Sequence, residues 1–140
     1  MRYVALVGRV FYALVFVFSG LGHFSPQAIA YAASQGVPLA TVAVPFSGVL
    51  AVAGGLSVLV GYRAKIGAGV LILFLVPVTV MMHAFWSVQD PMASQMQMAM
   101  FMKNVSMLGG ALLIAHFGAG PLSLDEQLSA RTTRPVSATA

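Results

Sequence analysis

The chain has 140 residues, of which 59% are hydrophobic and 7% charged, and its mean hydropathy is +0.92. A soluble domain is about a quarter charged, so this composition excludes a water-facing surface and predicts one that faces lipid. Absence of cysteine excludes disulfide scaffolds, thiolate metal sites and dithiol redox chemistry, and the seven Lys and Arg form no patch able to track a nucleic acid.

A bilayer core of about 30 Å takes about 20 helical residues. Four stretches qualify, near 4–21, 41–60, 66–86 and 96–117. Arg2 and Arg9 ahead of an apolar run also fit a cleaved leader, but a three-span remainder would split the basic residues between two sides. With four spans, Arg2, Arg63, Lys65, Arg131 and Arg134 all fall on one side, and the two opposite loops hold no Lys or Arg. The positive-inside rule then predicts an all-α transmembrane four-helix bundle with its N- and C-termini cytoplasmic. The transmembrane domain covers residues 1–120, and 121–140 form a short, partly disordered cytoplasmic tail.

Between the first and second spans, Ser25-Pro26 starts a short interfacial helix, with Ser as cap and Pro at the first position. Ala51/Gly55 in the second span and Ser106/Gly110 in the fourth are small residues four apart, a spacing that lets helix backbones approach. Pro45 and Pro77 fall inside the second and third spans and are expected to bend them. In the tail, Ser123-Leu124-Asp125-Glu126 has the capping-box pattern of a second short helix.

Ionisable groups within a membrane are expensive, so each is a candidate site. Lys103 lies two turns into the fourth span from the outer side, beside Asn104. His83 lies near the outer end of the third span with Thr79 and Ser87 one turn either side, and His23 ends the first. Asp90 stands in the loop above, and Trp86 marks the interface. Lys103, Asn104, His83, His23, Asp90 and Trp86 together predict a donor-rich pocket at the outer face, able to grip carbonyl or anionic oxygens. Arg9 and His116 are read as structural residues near the inner face. The nine methionines scatter over several helix faces and are read as apolar filler, so no metal site is expected.

Several stretches carry a resemblance: Gly20-Leu21-Gly22-His23-Phe24, Gly54-Gly55, His83-Ala84-Phe85-Trp86, Phe101-Met102-Lys103-Asn104 running on to Leu108-Gly109-Gly110, and Gly118-Ala119-Gly120-Pro121-Leu122-Ser123-Leu124-Asp125. In their order and spacing the chain resembles the DoxX family of small bacterial membrane proteins. The resemblance implies a multi-pass protein of the bacterial inner membrane with a link to redox metabolism. It departs at Ala51, where family members often carry a glutamate.

The leading expectation is therefore a quinone-linked component of a membrane oxidoreductase system, with the quinone headgroup held by Lys103, His83 and His23. No cofactor is visible in the residues themselves, and whether the chain is an enzyme stays open. The alternatives are a membrane anchor for a soluble enzyme and a small-solute binding or transport protein. Candidate partners are the lipid bilayer, a soluble or membrane redox protein, and a second copy of the chain; nucleic acid is not one.

Overall fold

The computed structural model describes residues 2–132. The disorder expected at the end of the tail, and Arg134 of the charge count, lie outside the described residues. Four long helices, α1 (Arg2–Gly22), α3 (Ala40–Val60), α4 (Ala64–Met82) and α5 (Pro91–Phe117), are joined by short connections, with two short helices, α2 (Pro26–Ser34) and α6 (Leu124–Thr132). All four are long and apolar enough to cross a membrane, and the fold is an all-α membrane bundle. Pro45 and Pro77 lie inside α3 and α4, which run on past them.

In lipid there is little hydrophobic force between helices, so close packing of small residues holds the spans together. Gly20 of α1 meets Gly48 of α3 so closely that a Cβ on either would come within 2.8–3.0 Å of the other's carbonyl oxygen. Ala51 is fully buried and lies one turn further along the same contact, against Gly20. A longer side chain there would force α1 and α3 apart. Gly54 and Gly67 join α3 to α4 in the same way. Around these contacts Ala13, Phe16, Val58, Ala68, Leu71, Phe74, Leu75 and Ala111 form the core.

Each span packs on the next, α1 on α3, α3 on α4 and α4 on α5. Between α1 and α5 the bridge is a side chain: Tyr12 Oη donates to the Met107 carbonyl at 2.7 Å, and its ring fills the space that a Cβ on Gly110 would need.

Local signals set the helix starts. Ser25 caps α2, its Oγ accepting from the Ala28 N–H at 3.2 Å with Pro26 in the first turn. In α6, the Ser123 hydroxyl accepts from the Glu126 N–H at 3.2 Å, and the Glu126 carboxylate accepts from the Leu122 N–H at 2.7 Å. This is the expected capping box, shifted by one donor. The fourth span begins five residues before its predicted start, because Asp90 caps it: the carboxylate accepts from the Ala93 N–H at 2.7 Å and Pro91 opens the helix. The third span stops at Met82, and Phe85–Ser87 form a separate 3-10 turn.

At the end of the bundle holding the start of α1, the α3–α4 turn and α6, the chain is clasped shut. Arg9, only 5% exposed, donates to the carbonyls of Leu59 at 3.3 Å, Ala119 at 2.7 Å and Leu122 at 3.0 Å. Asp125 reaches across from α6 and accepts from the N–H groups of Arg63 at 2.7 Å and Ala64 at 3.0 Å, capping α4 from outside its own sequence. The Asp125 N–H in turn donates to the Gly61 carbonyl at 2.8 Å. Exposed Arg2, Arg63, Lys65 and Arg131 all lie at this end, as the charge count requires.

Candidate functional site

At the opposite end, α2 leans on α3 and leaves a groove between α2, α3 and α4. Its volume is about 520 Å³, and its walls are mostly apolar, including Phe46, Phe74, Pro77 and Met81. Volumes of this size hold drug-sized ligands. His23 and His83 both line it, so the structure brings together two of the six residues expected to form the site.

Each imidazole is held by a partner that fixes its proton. His23 Nδ1 lies 2.9 Å from Ser47 Oγ, and the Ser47 hydroxyl donates its single proton to the Val44 carbonyl at 2.7 Å. Ser47 can therefore only accept from His23, so Nδ1 carries the proton of the neutral ring and Nε2 is left as an acceptor. His83 repeats the pattern. Its Nδ1 lies 2.8 Å from Gln97 Oε1, which cannot donate, and the Gln97 amide is oriented by its N–H donating to Tyr31 Oη at 3.2 Å. Neither Nε2 has a hydrogen-bond partner among the described residues. The His23 ring also lies tilted against Phe74, 5.7 Å between centroids, and Phe74 meets Phe16 edge-on.

The other four residues lie elsewhere. Lys103 is exposed on α5, whereas neighbouring Asn104 is buried at 4% exposure. Successive residues of a helix point about 100° apart, and the inward face of α5 runs through Gln97, Phe101, Asn104, Leu108 and Ala111, leaving Lys103 to one side. Asp90 is exposed and spends its carboxylate on the α5 cap. Trp86 is 60% exposed and packs edge-on against Phe85 and Phe101, away from the groove. The expected donor-rich pocket is thus replaced by an apolar groove that offers acceptors. Sequence reasoning missed Ser47, Gln97 and Tyr31; as polar residues on apolar spans, the first two carried a signal.

A model of the SURF4 family matches residues 1–130. The chain belongs to the SURF4 family. It is similar to the inner membrane protein YphA of Escherichia coli (strain K12), 27% identical over 124 residues, covering 87% of this chain and 88% of that protein. It is also similar to the Surfeit locus protein 4 homolog of Schizosaccharomyces pombe, 29% identical over 126 residues, and to the ER-derived vesicles protein ERV29 of Saccharomyces cerevisiae, 30% identical over 82 residues. Those alignments cover 89% and 59% of this chain, but the chain spans 37% and 26% of the two yeast proteins' own length. No solved structure matches the chain.

This assignment corrects the DoxX resemblance. The stretches that carried it are rich in glycines placed where helices must touch: Gly54 against Leu71, Gly55 against Phe16 and Val17, Gly110 against Tyr12. Such positions follow from tight four-span packing and mark a fold rather than one family. The quinone-linked redox function falls with the resemblance that implied it: one of these relatives is named for the inner membrane and one for ER-derived vesicles, and none for redox chemistry.

Proposed function

We propose that this SURF4-family chain is a membrane-embedded binding protein for an amphiphile, an apolar chain whose head group donates a hydrogen bond. The groove between α2, α3 and α4 carries this reading, because it joins about 520 Å³ of apolar space to two imidazoles whose Nδ1 protons are already committed. A hydroxyl or ammonium head can donate to a free Nε2, while the chain is covered by Phe46, Pro77 and Met81.

The likeness to an Escherichia coli inner membrane protein supports residence in a bacterial inner membrane. The basic clasp end then faces the cytoplasm, and the groove opens in the outer leaflet.

The test uses the full chain in nanodiscs, loaded with hexadecanol or with methyl hexadecyl ether, which has the same chain and no donor. Native mass spectrometry counts the molecules retained. One neutral hydrogen bond is worth about 1 kcal/mol, so hexadecanol should be retained about fivefold better. Ala43→Phe, which fills the groove from α3, should abolish retention of both. Equal retention of alcohol and ether by the wild type, or full retention by Ala43→Phe, would refute the reading.

A further inference from the structure

A second groove lies at the clasp end, between α1 and α5, where the two spans are bridged by Tyr12. Its volume is about 520 Å³, and Ala5, Gly8, Leu113 and Phe117 line it together with Arg9. A Cβ built on Gly8 meets nothing within 4 Å, so the α1 wall stands open there.

Arg9 gives this groove its chemistry. A guanidinium has five N–H groups and is always charged. Three are spent on the carbonyls of Leu59, Ala119 and Leu122, which leaves one on each terminal nitrogen. Carbonyl dipoles orient the cation without neutralising it, and a buried charge calls for a counter-charge. Asp125 lies near enough for its charge to favour the cation, but its oxygens accept from two N–H groups of α4, and Glu126 accepts from the Leu122 N–H. Among the described residues no carboxylate hydrogen-bonds to Arg9, whose bonded partners are all carbonyls.

The depth of Arg9 narrows the ligand class. Leu59 is the residue before the last of α3, and Ala119 follows the end of α5 at Phe117. Arg9 therefore stands level with the ends of two spans, although it is seven residues, about 10 Å, into α1. Lipid phosphates lie at the ends of spans, and acyl chains lie beside the helices.

We infer that the α1–α5 groove is a site for an anionic phospholipid, whose phosphodiester oxygens accept the two unused N–H groups of Arg9 while one acyl chain lies along Gly8 and Leu113. The fork of a guanidinium suits two oxygens of one phosphate. The site is separate from the α2–α3–α4 groove and independent of what that groove binds.

The experiment places the full chain in nanodiscs of equal phosphatidylglycerol and phosphatidylcholine, releases it gently and counts retained lipids by native mass spectrometry. Phosphatidylcholine has the same phosphodiester but cancels it with its own ammonium, so the uncompensated charge of phosphatidylglycerol beside Arg9 predicts about fivefold enrichment of that lipid in the wild type. Arg9→Gln and Gly8→Leu should both lose it, the first by removing the cation and the second by filling the groove. Gly8→Leu leaves the clasp untouched and decides the matter alone if Arg9→Gln does not fold. No enrichment in the wild type, or enrichment that survives Gly8→Leu, would overturn the site.

Discussion

Asp125 offers the sharpest test of how the clasp works. Its two carboxylate oxygens accept from the N–H groups of Arg63 and Ala64 at 2.7 and 3.0 Å, and Arg63 is held in the left-handed region at φ 47°, an uncommon place for a residue with a side chain. Replacing a cap costs about 0.5–2 kcal/mol, and hydrogen bonds to a charged group reach about 1.5–3 kcal/mol. Asp125 is only half-buried, so water can replace part of what is lost, and about 2 kcal/mol is expected for Asp125→Ala. Asp125→Asn keeps one acceptor oxygen and should cost about 1 kcal/mol. Hydrogen exchange at the Arg63 and Ala64 amides, read by mass spectrometry on the α3–α4 turn, converts these values to rates: about thirtyfold faster for Ala and about fivefold for Asn. Equal acceleration in the two variants would refute the bond-by-bond account. No acceleration in either would show that the cap holds nothing.

Two further predictions concern packing. Tyr12→Phe removes the one hydroxyl that ties α1 to Met107 of α5 and should cost about 1 kcal/mol, read as a lower thermal midpoint in detergent; an unchanged midpoint would mean that the ring alone joins the two spans. Gly61→Ala should cost about 2 kcal/mol or more, since Gly61 has φ +69° and a Cβ there would lie 2.5 Å from that of Ser123. Gly8→Ala, with nothing within 4 Å of its Cβ, is the matching control and should leave the midpoint in place.

The span count and shared basic face were legible because bilayer thickness and charge asymmetry act on whole segments. The starts of α2 and α6 were legible because Ser25-Pro26 and Ser123 to Glu126 carry capping chemistry in consecutive residues. Asp90-Pro91 carries the same cap-and-proline signal as Ser25-Pro26, but a start set by apolar length alone, near residue 96, passes over it. The site was harder to read. His23 and His83 share a groove because α1 and α4 both pack on α3, which no local pattern states. Lys103 stands out by its charge, its depth in the span and the Asn104 beside it, but the helical period turns it away from the inward face that Asn104 occupies. The clasp was invisible for a related reason: Arg9 binds partners 50, 110 and 113 residues away, and all three are backbone carbonyls, which every sequence has.

The order of packing bears on how the chain is made. The main contacts between spans join neighbours in sequence, so pairs of helices can settle while synthesis continues, without waiting for a distant segment. Arg9, in the first of the four spans, finds its carbonyl partners at Ala119 and Leu122 only after the last of them has been made. Until then its charge has no fixed place, and a chain stopped before residue 119 would hold it without two of its three acceptors. The clasp thus closes only once all four spans are present, tying the first of them to the segment that follows the last.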